Sequence, residues 1–106
     1  MEKSNLRIEM LRQYLADDPG DDFSEYALAL ELEKEGKTKD AIIHLENILG
    51  RNPDYLAAYF QCGKFYEIEK EALKAAACYA KGMEVAQRQG NTKTFNELRS
   101  ASEMMD

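Results

Sequence analysis

The sequence predicts an all-α protein of antiparallel helix-turn-helix repeats, with about six helices and no strand. Three observations lead to this fold class. The two prolines, Pro19 and Pro53, lie 34 residues apart, which indicates an internal repeat. Shifting the chain by 34 residues places large residues on large ones and small on small. Apolar residues also recur at helical spacing between Gly and Pro punctuation.

The 34-residue register covers most of the chain. The aligned pairs are Leu11 with Leu45, Tyr14 with Ile48, Leu15 with Leu49, Leu28 with Cys62, Ala29 with Gly63, Leu32 with Tyr66, Ala41 with Ala75, and Leu45 with Tyr79. Small residues let the two helices of a unit approach closely, and the large residues fill the space beside that contact. We therefore expect Tyr66 and Tyr79 in the core, and Cys62 as a small apolar core residue.

The first helix is predicted at about Ser4 to Ala16 and is amphipathic. Its apolar face is formed by Ile8, Leu11, Tyr14 and Leu15. The repeat register gives this helix the place of a unit's second helix. We expect it to cap the N-terminal end of the stack.

The next four helices form two complete units. The segment FSEYALALELEKEG has strong helix formers and ends at Gly36. The third helix is expected to start at a capping Thr38 and to stop at Gly50. In the second unit, Asp54 is expected to cap the fourth helix, and the fifth runs on to Gly90.

The last helix is predicted at about Thr92 to Met105, in the place of a unit's first helix. Its apolar face is formed by Phe95, Leu98, Ala101 and Met105. We expect it to cap the C-terminal end.

The acidic stretch DDPGDD, at 17–22, has the composition of either a calcium loop or a turn. A calcium loop needs oxygen ligands at alternate positions ahead of a Gly, and no register of this stretch supplies three of them. Pro-Gly flanked by Asp is ordinary turn and helix-cap chemistry. The stretch is therefore predicted to be the turn between the first helix and the first unit.

These patterns resemble the tetratricopeptide repeat family, whose units are helix-turn-helix pairs of 34 residues. The second unit matches with Tyr59, Cys62, Gly63, Tyr66, Ala75 and Tyr79, and the first with Leu28, Ala29, Leu32, Ala41, Leu45 and Pro53. Gln87 replaces the expected proline, and Glu25 stands where a large aromatic residue belongs. The second departure is expected to loosen one packing site. The resemblance covers about residues 7 to 105 and implies a short right-handed superhelix, an α-solenoid.

A single domain, 1–106, is the predicted organisation. It divides into an N-terminal capping helix (1–21), repeat 1 (22–55), repeat 2 (56–89) and a C-terminal capping helix (90–106). Two full units are fewer than the ~3 usually needed for a stable stack, so the caps or a partner must supply further contacts.

Composition narrows the classes of partner. The chain is 44% hydrophobic and 32% charged, with a net charge of −6, which disfavours nucleic acid. No apolar run approaches the ~18 residues of a membrane span, and the start lacks a signal peptide's apolar stretch. A cytoplasmic protein with no membrane contact is predicted. Cys62 and Cys78 form no CxxC pair, so reduced thiols are expected rather than a disulfide framework or zinc site.

No enzyme, cofactor or metal is predicted. His44, the single histidine, aligns with Cys78, and groups at these positions in adjacent units are within reach of each other. Two ligands do not make a zinc site, and no carboxylate pair, phosphate loop or nucleophile motif accompanies them.

The family resemblance implies a concave groove lined by the first helices of the units. The residues in those places are Phe23, Tyr26, Leu30, Glu33, Ala57, Phe60, Lys64 and Glu67. The alternative is that the rings are buried under a neighbouring helix, above all Phe23 near the first helix. A family mode that grips a C-terminal carboxylate with Lys and Asn is not supported, because Tyr26, Leu30 and Gln61 occupy the matching places.

The sequence thus favours a protein–protein interaction module whose groove binds a peptide or helix of a partner. The alternative is a structural protein that self-associates, for example as a homodimer, through its groove or an end helix.

Overall fold

The computed structural model describes residues 3–105, which form six α-helices and no strand. Their bounds are α1 (Lys3–Asp17), α2 (Asp22–Lys34), α3 (Thr38–Arg51), α4 (Leu56–Ile68), α5 (Ala72–Gln89) and α6 (Thr92–Glu103). Each helix makes its main contacts with the helices before and after it in the chain. This nearest-neighbour packing is typical of a solenoid and gives a body of 39 × 28 × 20 Å. The predicted all-α stack is confirmed.

Cap and turn chemistry explains most of the helix ends. The Asp21 carboxylate accepts hydrogen bonds from the Ser24 backbone N–H (3.1 Å) and hydroxyl (2.6 Å), which caps α2. DDPGDD is therefore a turn and cap, as predicted. At the other end of the chain, Gly90 takes a left-handed conformation that ends α5, and Asn91 caps α6 through the Thr94 N–H (3.0 Å).

Two predicted caps are wrong. Thr38 is the first residue of α3 and is buried, and Lys37 stands at the cap position without a side-chain cap bond. Asp54 precedes Tyr55, the cap residue of α4, so it lies in the turn rather than at the cap. The Asp54 carboxylate instead accepts a hydrogen bond from Arg88 of α5 (2.9 Å). A polar residue near a helix start is a weak indicator of which residue caps it.

A tight contact between paired helices lies at Gly63 of α4. A Cβ built there would stand 2.3 Å from the ring of Tyr79 on α5, and that ring is fully buried. The equivalent small residues Ala29, Ala41 and Ala75 are also fully buried. The predicted packing of small residues against large ones is confirmed at these positions.

Tyr66 departs from the core prediction. The side chain is only half-buried, and its hydroxyl donates a hydrogen bond to the Glu46 carboxylate on α3. The aligned Leu32 is fully buried. A tyrosine can occupy a core position while its hydroxyl reaches the surface. The register therefore predicts more burial for Tyr66 than the structure shows.

The capping helix α1 packs on α2 through Ile8 and Leu11, both buried. An ion pair between Arg7 and the buried Glu31 of α2 (3.1 Å) adds to this contact. Tyr14, predicted on the same apolar face, is exposed instead.

Glu25 does not loosen the packing of the first unit, contrary to the prediction. Its side chain is buried and lies between α2 and α3. The carboxylate accepts hydrogen bonds from Arg51 (2.7 Å) and Asn47 (3.2 Å), and lies 2.8 Å from Nδ1 of His44. Arg51 also pairs with Asp22 (2.7 Å). A polar network thus occupies the place of the missing aromatic ring.

Burial opposes ionisation of Glu25, but hydrogen bonds from His44, Arg51 and Asn47 outweigh it and hold the pKa of this carboxyl below its ordinary 4.5. A carboxylate whose pKa is lowered by folding stabilises the folded state at pH above its unfolded value. That stabilisation is lost as the pH falls through the folded-state pKa.

Replacing Gly63 with Ala is expected to lower the free energy of unfolding by about 1–3 kcal/mol, because the new methyl overlaps the buried Tyr79 ring. Urea unfolding measures this loss. The control is Gly50→Ala in α3, where nothing lies within 4 Å of the added Cβ. It should be neutral or stabilise by up to about 1 kcal/mol. Equal stability of the two variants would contradict the packing described.

Replacing Glu25 with Gln is expected to cost roughly 1.5–3 kcal/mol at pH 7, because Arg51 and His44 lose a charged acceptor. Between about pH 5 and 3, stability should also fall less steeply than in the wild type. Urea unfolding at several pH values measures both effects. Glu9→Gln, at an exposed position on α1, is the control and should change stability by less than about 0.5 kcal/mol. If Glu25→Gln had the same pH profile as the wild type, the ionised Glu25 network would not contribute to stability.

Candidate functional site

The first helices of the units, α2, α4 and α6, share one side of the molecule. A cavity of about 340 Å³ is lined by residues from all three and by Asn91. A second cavity, of about 580 Å³, lies between α4 and α6. Phe60 and Glu97 line both. We call these two adjoining cavities the groove. Each has the volume of an ordinary ligand site.

The predicted residues of α4 lie in the groove or beside it. Phe60 is half-buried, and the Lys64 ammonium stands 5.9 Å from the centre of its ring. Ala57 is exposed and lines the smaller cavity. Glu67 lies further along, where it lines a neighbouring cavity of about 300 Å³. The Glu67 carboxylate accepts a hydrogen bond from the Tyr79 hydroxyl.

The predicted residues of α2 are less uniform. Tyr26 is half-buried, lines the smaller cavity and packs its ring 5.7 Å from that of Tyr55. Leu30 is half-buried against the main core, and Glu33 is half-buried. Phe23 is 73% exposed, so the alternative that α1 buries it is wrong. Of the four predicted residues of α2, Tyr26 lines the groove, and Phe23, Leu30 and Glu33 line neither of its two cavities.

Sequence reasoning missed the wall that α6 contributes. The residues of this wall are Asn91, Thr94, Asn96, Glu97, Ser100, Ala101 and Met104. A second 34-residue shift would have found part of it, because Ala57 aligns with Asn91 and Phe60 with Thr94. The amphipathic pattern of α6 by itself predicts only a capping helix.

Among the described residues, one acidic and one basic side chain line the groove. Glu97 lines both cavities, and Lys64 lines the larger one. Glu33 of α2 and Glu67 of α4 lie outside these two linings. Burial and the hydrogen bond to Glu67 raise the pKa of the Tyr79 hydroxyl, so this phenol remains a donor.

His44 and Cys78, which the register aligned, have different partners. His44 contacts Glu25 within the first unit, and Cys78 contacts Cys62 within the second. Within residues 3–105, no group of three or more His, Cys, Asp or Glu side chains is placed to hold a metal ion.

Across the described part of the chain, each helix is too short or too polar to span a bilayer.

No family model matches the chain, and no curated protein matches it. Several solved structures do match the chain. A tetratricopeptide repeat domain protein from Salinibacter ruber is 38% identical in its solution structure, with a TM-score of 0.76 over 80% of this chain and 86% of that one. A crystal structure of a Salinibacter ruber tetratricopeptide repeat domain protein gives 36% identity and a TM-score of 0.72, over 77% and 91%.

A protein from Bordetella parapertussis shares the fold at 22% identity, with a TM-score of 0.79 over 91% of this chain and 84% of that one. The repeat register, the six stacked helices and the identity to the Salinibacter ruber protein agree. This chain belongs to the tetratricopeptide repeat family and is a helical-repeat module of the kind that mediates protein–protein interaction.

Proposed function

We propose that the groove binds a peptide or helix of a partner protein. The observation that carries this proposal is the pair of adjoining cavities along α2, α4 and α6, with Phe60 between them. Together they cross three helices, and such a surface suits an extended or helical segment. An apolar side chain of the partner would rest against Phe60, in the way that aromatic anchors hold most interfaces.

The net charge of the chain indicates the partner's chemistry. The chain carries a net charge of −6, and Glu97 lines both cavities, whereas Lys64 lines only the larger one. A segment with a bulky apolar residue and neighbouring Lys or Arg complements such a protein. An acidic segment would be repelled by the net negative charge.

The walls are held in place by the core behind them. The Phe60 ring packs 6.4 Å from that of Tyr79, and the Tyr26 ring packs against Tyr55. Residues fixed in this way lose little further freedom when a partner binds. Truncating Tyr26 or Phe60 would also disturb the core, so a test of binding should add atoms at an exposed position instead.

Selection of a displayed library of random peptides on the wild-type protein should enrich sequences that pair a bulky apolar residue with Lys or Arg. Ala57→Arg should weaken these peptides at least about tenfold, because the new side chain fills the groove and repels basic residues. The matched control is Ala80→Arg, an equally exposed position on α5. It should leave the affinity unchanged.

Two results would contradict the proposal. One is a selection that enriches no sequence. The other is a set of peptides that bind Ala57→Arg and Ala80→Arg equally well, which would locate the binding surface elsewhere.

Self-association is a second candidate, favoured by an apolar stripe on α1. Leu6, Met10 and Tyr14 follow one another at intervals of four residues and are each about half exposed. The register aligns Met10 with His44, and His44 faces the first helix of its own unit through its contact with Glu25. The stripe on α1 therefore corresponds to the face of a second helix that packs against the first helix of the same unit.

The other end of the stack differs. The α6 positions that align with the largely buried Tyr59, Cys62, Gly63 and Tyr66 carry Lys93, Asn96, Glu97 and Ser100. Such a polar face gains little from burial. Pairing of α1 with α1 of a second copy is thus favoured over head-to-tail stacking.

If α1 forms a dimer, Met10→Glu should convert it to a monomer, because the interface would bury a carboxylate without a partner. Light scattering over a range of concentrations measures the mass. Arg12→Gln is the control, since it changes the net charge equally at an exposed position on the opposite face of α1. A wild type that is monomeric at every concentration, or a Met10→Glu dimer, excludes this candidate.

A further inference from the structure

The two cysteines come together in the second unit. Cys62 is buried on α4, and Cys78 is half-buried on α5; both are free thiols. Each directly precedes a residue of the tight contact between these helices, Gly63 and Tyr79. The lack of a CxxC motif predicts reduced thiols and no disulfide framework. The hairpin of α4 and α5 nevertheless packs Cys78 against the buried cluster that contains Cys62.

The two thiols are not equivalent. Cys78 packs against the buried cluster that contains Cys62. The interaction with the Cys62 thiol lowers the pKa of Cys78. The same interaction, together with burial, raises the pKa of Cys62. Cys78 therefore has the greater thiolate character and the greater exposure, the two features that make a cysteine reactive. Cys62 stands behind it as a protonated neighbour.

We propose that Cys78 is a peroxide-reactive thiol and that Cys62 resolves its oxidised form to an intramolecular disulfide between α4 and α5. The oxidant is a hydroperoxide, hydrogen peroxide being the simplest. This site is distinct from the groove and does not depend on the proposed function.

The chemistry proceeds in two steps. The Cys78 thiolate attacks one oxygen of the peroxide, the O–O bond breaks, and hydroxide leaves and takes a proton to become water. Cys78 is then a sulfenic acid. The Cys62 sulfur loses its proton and attacks the Cys78 sulfur, and the S–O bond breaks. The departing oxygen takes up the proton as a second water, so the thiol pair has given two electrons to the peroxide.

The first step favours the second. Oxidation removes the negative charge of the Cys78 thiolate, and the interaction with Cys78 is the leading cause of the raised pKa of Cys62. The Cys62 thiol therefore loses its proton more easily after the first step. The disulfide then joins two helices that are already in contact. A thiol placed beside a sulfenic acid captures it before further oxidation.

The test treats the folded wild type with hydrogen peroxide and measures its intact mass without reductant. The expected product is a monomer lighter by about 2 Da, with no titratable thiol, that dithiothreitol restores. Trypsin should release peptides 52–64 and 75–81 joined by the new bond. In Cys62→Ala, dimedone should trap the sulfenic acid on Cys78. In Cys78→Ala, Cys62 should remain a thiol under the same treatment.

Other products would overturn the proposal. These are a sulfinic acid on Cys78 of the wild type without a disulfide, a disulfide between two chains, unreacted thiols, or oxidation of Cys62 in Cys78→Ala at the wild-type rate. Thermal melts of both alanine variants verify that each reaction is measured on folded protein.

Discussion

The close approach of α4 and α5 at Gly63 is the contact on which the other features of the molecule depend. Because Gly63 has no side chain, the buried Tyr79 ring lies against the α4 backbone, and the two helices form a tight pair. Ala29 and Ala41 are equally small in the first unit. Pairs of this kind cannot bury all their apolar surface alone, so they stack. Stacking aligns α2, α4 and α6 on one side and creates the groove.

The two units reach the same geometry with different chemistry. The register aligns Glu25 with Tyr59. In the second unit Tyr59 is a buried ring whose hydroxyl donates to the Pro53 carbonyl (2.7 Å). In the first unit a carboxylate bound by Arg51 and His44 fills the same place. The first unit therefore contains a buried carboxylate whose protonation lowers stability, and the second contains the thiol pair.

Most of the fold could be predicted from the sequence because a 34-residue register repeats local information. Small residues such as Gly63 let paired helices approach closely, and the turn at 17–22 ends one helix and caps the next. The structure confirms both predictions. Side chains whose surroundings come from distant segments could not be predicted. Glu25 meets partners 19 to 26 residues away, and the polar tip of Tyr66 reaches Glu46, twenty residues away. The far wall of the groove forms because the packing of α6 on α5 places α6 across a cavity from α4, and the sequence does not show this, so Glu97 was missed.

Native-state hydrogen exchange tests the central claim most directly, because it reports the stability of each helix separately. If the tight helix pairs support the stack, the slowest amides lie around Gly63 and Tyr79 and around Ala29 and Leu45. They should exchange only through global unfolding, while α1 and α6 exchange faster. Exchange of segments 60–66 and 76–82 as fast as that of α6 would contradict the account, since the contact at Gly63 would then not hold the structure together.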